Sequence, residues 1–237
     1  MIASLHIREL APPRALRTLV RGRLHGADGL LTGEVVLTSP LTERLLPRPR
    51  LDRVAAFAFW RDEESLDRFL ARDETGSILA GGWEMRMQPA RLVGSWPQLE
   101  SLCAERVAMD MDEPAAALTL GRLRPSRGVR FLKASARAER DALRGGAMVA
   151  STGLARPPLL VSTFSVWREL SAMRDYVTGA GADGHRLAVR SHAEQPFHRE
   201  SAFVRLRPLS ISGEAPWWPG LERLERQPRA LAAPSAA

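Results

Sequence analysis

Two stretches of this chain share one pattern of apolar and polar positions. Residues 54–70 read VAAFAFWRDEESLDRFL and residues 161–177 read VSTFSVWRELSAMRDYV. At a constant offset of 107 positions, Val54, Phe57, Trp60 and Arg61 meet Val161, Phe164, Trp167 and Arg168. Asp62/Glu169, Leu66/Met173, Phe69/Tyr176 and Leu70/Val177 are conservative matches in the same frame. Each copy begins as a short apolar run rich in β-branched and aromatic residues, which predicts a buried strand. The period then changes. Leu66, Phe69 and Leu70 in one copy, and Leu170, Met173 and Tyr176/Val177 in the other, recur at helical spacing behind first-turn acids that favour the helix dipole. A strand running into an amphipathic helix is thus written twice, and a duplicated unit is the simplest reading.

The segments around these copies extend the repeat. "RTLVRGRL" (17–24) and "ALTLGRLR" (117–124) predict strands, as do "WEMRMQPARLVGSW" (83–96), "GAMVASTGLA" (146–155) and "ESAFVRLRPLSISG" (200–213). "FLKASARAERDALR" (131–144) predicts a helix, and in the first half Gly29, Gly33 and Pro40 interrupt the corresponding pattern. Each half approximates β-α-β-β-α-β, the ferredoxin-like arrangement. The expected organisation is an N-terminal ferredoxin-like half over 1–113, a C-terminal half over 114–213, and a flexible Ala/Pro-rich tail over 214–237. Helices cover only one face of each antiparallel sheet, so the two bare faces are expected to close on each other. The predicted fold is α+β: two tandem ferredoxin-like repeats forming an intrachain dimeric α/β barrel.

Composition then narrows the chemistry. With 237 residues, 45% of them hydrophobic, the chain can bury a sizeable core. The lone Cys103 excludes an internal disulfide framework and a cysteine-built metal cage, which makes a reducing cytoplasm the expected setting. No run of eighteen apolar residues exists, and the N-terminus interrupts its apolar positions with His6, Arg8, Glu9 and two prolines, so neither a membrane span nor a secretory signal is expected. The net charge of +7 invites a nucleic-acid reading. However, Lys133 is the only lysine, the charge is spread, and the one dense cluster, "RLRPSRGVRFLK" (122–133), lacks interleaved aromatics. No specific nucleic-acid partner is expected. Hydrolase elbows, P-loops, dinucleotide fingerprints and H-E-x-x-H are absent, and "GAGADG" (179–184) follows a helix instead of opening one. Cofactor-based or pocket-based chemistry is what remains.

The second half carries a family resemblance. "ALTLGRLRP" followed by "FLK", the strand before "VSTFSVW", "AMRDYV…GHRLAVR" and "PFHRESAFVRLRP" come in the order and spacing of the spheroidene monooxygenase family of the dimeric α/β-barrel group. The first half resembles it more thinly, through "LTGEVVL…PLTERLLPRPRLDRVAAFAFW". The family pattern departs around Pro196 and Arg199 in "EQPFHRES". The resemblance implies a haem-dependent monooxygenase acting on an apolar polyene or terpenoid, carotenoid-like substrate, with a ferredoxin or reductase as electron donor. It also implies that His185, which falls on the family's histidine in "GHRLAVR", ligates the haem iron. His6, His25, His192 and His198 are the other histidines.

Beside the histidine, Arg205 on the last strand could donate to a haem-bound oxygen or a propionate if it points inward, and strand alternation leaves its direction open. Lys133 falls on a position the family also uses and could face a pocket. Trp60 and Trp167 read as core wedges between sheet and helix, and Arg61 and Arg168 as junction charges. The apolar barrel interior is the expected place for the substrate. A second class of function stays open: a non-catalytic duplicated barrel that binds a small apolar ligand. Contact with an anionic membrane surface and association of two chains also stay open.

Overall fold

A computed structural model of the chain describes residues 1–22, 24–41, 48–103, 106–144, 146–178, 190, 194, 196–218, 220–221 and 224. The first half runs β1 (Ile2–Glu9), α1 (Pro12–Arg21), β2 (Leu30–Ser39), β3 (Arg50–Trp60), α2 (Glu63–Arg72), α3 (Glu74–Ala80) and β4 (Trp83–Ser95). The second runs β5 (Ala115–Leu123), α4 (Gly128–Arg144), β6 (Met148–Arg156), β7 (Leu160–Trp167), α5 (Leu170–Thr178) and β8 (His198–Ser212). Both halves are β-α-β-β-α-β, the first with α3 added.

The eight strands close into an antiparallel barrel in the order β1-β3-β2-β6-β7-β5-β8-β4. The halves meet along two seams of unequal length. β4 pairs with β8 from Glu84↔Ser212 to Ser95↔Ser201, whereas β2 meets β6 only at Leu37↔Ala155, Thr38↔Leu154 and Ser39↔Gly153. Closure gives every strand a neighbour on both sides.

Strand alternation sorts the side chains into two layers. Ala3, Leu5 and Ile7 of β1, Phe57 and Phe59 of β3, Leu118 and Leu120 of β5, and Phe164 of β7 point into the barrel and form one core with Trp83, Met85 and Met87. The barrel interior is therefore packed with large side chains, which corrects the expectation that it admits a substrate. Outside the barrel, α2 and α3 bury Leu66, Phe69 and Leu79 against Ile2, Ala58 and Trp60. α5 buries Leu170 and Met173 against Ala115, Ala117 and Trp167.

The duplicated unit is conserved in three dimensions. Trp60 stacks on Phe69 at 5.0 Å and Trp167 on Tyr176 at 5.1 Å, ring centroid to centroid. Both tryptophans are buried, as the core-wedge reading expects. Each indole N–H is satisfied by a serine, Trp60 donating to Ser4 Oγ (3.1 Å) and Trp167 to Ser165 Oγ (2.9 Å). Asp62 caps α2 by accepting from the Ser65 amide at 2.8 Å. Arg61 and Arg168 are exposed at the strand–helix junctions, and Arg61 pairs with Asp28 at 3.0 Å.

Three expectations need correction. The stretch 17–24 is not a strand: residues 12–21 form α1, because Pro12 and Pro13 occupy the first helical turn, where no amide hydrogen bond is lost. The first strand is Ile2–Glu9 instead, and the Gly33-containing segment is strand β2. Finally, the described part of the 214–237 segment packs. Trp218 donates to the Ser151 carbonyl at 3.0 Å, sits edge-on to Trp83 at 5.1 Å, and joins Leu221 and Leu224 in the barrel core. Residues 225–237 lie outside the described residues.

Candidate functional site

The register makes the two sheets comparable residue by residue. Ile2 pairs with Trp60 as Ala115 pairs with Trp167, so Ser4, His6 and Arg8 of β1 correspond to Ala117, Thr119 and Gly121 of β5. These positions face outward, toward the helices. In the first half two of the three, His6 and Arg8, carry large side chains. In the second half the same positions carry only Ala117, Thr119 and Gly121.

The result is a cavity of about 600 Å³ between the second sheet and helices α4 and α5. Its floor comes from Ala117, Thr119 and Gly121 of β5, Thr163 and Ser165 of β7, and Ser201 of β8. Apolar walls come from Phe131 and Ala134 of α4, Met173, Tyr176 and Val177 of α5, and Trp167, Phe197 and Phe203. Val93 and Val177 line it while remaining half exposed, which marks the mouth. A mostly apolar concavity of this size with a few polar groups suits a small organic ligand.

Two features give the cavity chemistry. His198, the first residue of β8, lines it, and its ring lies 5.2 Å from Phe131 and directly over Gly121, where an added Cβ would stand 2.7 Å from the imidazole. Only a glycine at 121 accommodates the ring there. Arg205 projects from β8 on the cavity side, and its Nε is buried with no hydrogen-bond partner among the described residues. Desolvation, with the nearby Arg91 and Arg174 charges, lowers the Arg205 pKa. Arg91 lies directly opposite Arg205 across the β4–β8 ladder and also lines the cavity.

Of the residues singled out in the sequence, Arg205 reaches the cavity, but from the outward face of β8: Val204 and Leu206 take the inward positions, so it does not point into the barrel. Lys133 does not reach it: its side chain is exposed on α4, away from the residues that line the cavity, because Phe131, Ala134 and Ser135 take the inward positions of that helix. His185 and His192 lie outside the described residues, in the segment that follows α5. Among the described residues no group of three or more His, Cys, Asp or Glu is placed to hold a metal ion.

The basic cluster at 122–133 is largely engaged within the protein. Arg122 pairs with Glu200 at 2.7 Å, Arg124 Nε donates to the His198 carbonyl at 3.1 Å, and Arg130 lies 5.8 Å over the Phe197 ring. Arg91, Arg174 and His198 were not singled out for the site. Arg174 had a visible signal, being the counterpart of Asp67 at the repeat's offset, a charge reversal inside a conserved unit.

Comparison with known proteins adds a relative. The chain is 32% identical over 172 residues to the spheroidene monooxygenase of Rubrivivax gelatinosus, across 70% of this chain and 64% of that protein. The chain is a relative of spheroidene monooxygenase. It spans a little under two thirds of that relative's length. No protein-family model matches the chain. Among solved structures, aldoxime dehydratase superposes with a TM-score of 0.52 at 10% identity, covering 90% of this chain and 81% of that one. A second aldoxime dehydratase structure, in complex with butyraldoxime, matches equally well, at 0.52 and 10% identity over 90% of this chain and 79% of that one. At that identity the two structures support the duplicated barrel fold alone. No described helix is long and apolar enough to cross a membrane.

Proposed function

We propose that this protein is a haem-dependent monooxygenase acting on an apolar polyene or terpenoid substrate, with electrons delivered by a separate ferredoxin or reductase. The observation that carries the reading is the hollow built between the second sheet and its helices, in a chain related to spheroidene monooxygenase. The residues present fit a flat macrocycle with acidic substituents. The floor along β5 carries only small side chains, the walls are aromatic and aliphatic, and a buried guanidinium nitrogen at the rim has no partner among the described residues.

In this reading His185 would hold the haem iron. At the offset that relates α2 to α5, His185 matches Ile78 of the first half in sequence. Bound haem would supply dioxygen activation, and the chain would supply the setting for it. Trp167, Phe197 and Phe203 present apolar surface to ligand and substrate, α4 and α5 exclude water from the sheet, and Arg205 holds positive charge where negative charge would develop. His198 offers a second imidazole at the wall.

The test is an absorption spectrum of the full chain expressed with haem supply, oxidised and then dithionite-reduced under carbon monoxide, for wild type and His185→Ala. A haem band in wild type that shifts or vanishes in the variant is expected. Absence of haem from both proteins would overturn the reading and favour a ligand-binding barrel without redox chemistry.

A further inference from the structure

The first half shows how the scaffold pairs an arginine at this strand position. Arg86 of β4 lies opposite Ser4, as Arg205 of β8 lies opposite Ala117, and Ser4 and Ala117 are themselves counterparts. Arg86 donates to Asp67 Oδ1 of α2 at 2.7 Å and pairs with Glu84 on its own strand. Burial works against the Arg86 charge, and these two carboxylates more than offset it, so its pKa is raised.

The second half keeps the arginine and changes both of its partners. Asp67 corresponds to Arg174 at the offset relating the two helices. Glu84, opposite His6, corresponds to Phe203, opposite Thr119. Arg205 has therefore lost both carboxylates and gained a like charge, and Arg91 adds another directly across the ladder. Like charges facing each other across strands destabilise a sheet, and a buried guanidinium nitrogen left without an acceptor, as Arg205 Nε is, costs desolvation free energy. Among the described residues no carboxylate pairs with Arg91, Arg174 or Arg205; Arg174 instead donates to Met111 Sδ at 3.2 Å. Arg86 also shows that this strand position tolerates a paired arginine, so the unpaired state belongs to the half that contains the cavity.

We infer that Arg205, with Arg91 and Arg174, forms a carboxylate-binding site at the edge of the cavity, so that the cavity's ligand is an apolar body carrying an acid group. Arginine suits this role because its planar fork matches a carboxylate in bidentate geometry. The acid could belong to the propionates of a haem macrocycle or to an acidic polyene. The site stands on geometry within this chain and does not require the haem reading.

The experiment uses the full chain and two probe pairs: hemin against its dimethyl ester, and the fluorescent polyene cis-parinaric acid against its methyl ester. Wild type is expected to bind at least one acid on the order of tenfold more tightly than its ester, as charge-assisted hydrogen bonds allow. Arg205→Gln is expected to abolish that preference while leaving ester affinity unchanged. Arg174→Asp recreates the first half's pairing, and is expected to abolish the preference while raising the melting temperature, a combination a merely destabilising change would not give. Equal affinity for acid and ester in wild type, binding of none of the four probes, or a preference that survives Arg205→Gln would each overturn the inference. Preference for parinaric acid without hemin binding would leave the carboxylate site standing and remove the haem reading. Hemin binding without preference over its ester would do the reverse.

Discussion

Acidification should expose one residue of the first half before any other. His6 is 2% exposed on the outward face of β1, between Ala56 of β3 and Glu84 of β4, and neither ring nitrogen has a hydrogen-bond partner among the described residues. Burial, assisted by the Arg86 charge, pushes its pKa from 6.5 down to about 4. The folded protein thus binds fewer protons than the unfolded chain between those two values. The contribution to stability is complete above pH 6.5, is lost as pH falls, and is gone once pH passes below the folded value. The gap corresponds to about 3 kcal/mol at 1.36 kcal/mol per pH unit, a large share of a typical domain's stability. Urea denaturation of wild type and His6→Leu at intervals between pH 7.5 and pH 4 isolates the effect, because every other ionisable group is common to both proteins. At neutral pH the variant should be as stable as wild type or more so, since an apolar side chain replaces a buried polar group lacking a protein partner. By pH 4 the wild type should have lost about 3 kcal/mol relative to the variant. Parallel profiles would refute the argument and show that His6 has a partner or solvent access in the folded state.

Further expectations concern packing. Trp218→Ala should cost about 3–5 kcal/mol in chemical denaturation, because it empties a site between Trp83 and Phe164 at the barrel end, and an unchanged midpoint would mean that the segment after residue 213 contributes nothing to the fold. Gly121→Ala should move the His198 imidazole, since the new Cβ would stand 2.7 Å from it, and should be read as shifted His198 resonances in NMR spectra together with weaker binding of any cavity ligand. Unmoved resonances would show that the ring does not rest on the glycine.

Much of the fold is legible because the chain describes it twice. Trp60 and Trp167 each mark the change from strand to helix period, and the aromatic that each one meets, Phe69 or Tyr176, occupies the matching position of the 107-residue frame. The first fifty residues are harder. Pro12 and Pro13 look like breakers, yet they open α1, and the alternation of Ala3, Leu5 and Ile7 with Ser4, His6 and Arg8 signals β1 more clearly than "RTLVRGRL" signals a strand. Trp217–Trp218 and the spacing of Leu221 with Leu224 contradict the Ala/Pro-rich impression left by the chain's last residues. The cavity was not legible in either copy alone. Alternation tells which residues share a face, but only the pairing of β1 with β3 and of β5 with β7 shows that Ser4, His6 and Arg8 correspond to Ala117, Thr119 and Gly121.

A duplicated fold supplies its own control for what is structural and what is not. Both halves keep the tryptophan wedge, the aromatic stack and the buried apolar residue at Leu66 and Met173, so these features belong to the barrel. The second half departs together at two kinds of position: it loses side-chain bulk along β5 and loses both acids around its β8 arginine. Each departure alone would weaken the fold, the first by removing packing and the second by leaving a guanidinium without an acceptor. They occur on one face, around one cavity, and the first half lacks both. Sequences tend to break local rules where a site is built, and two costs that a single apolar ligand with an acid group would relieve are more economically explained by that ligand than by independent drift.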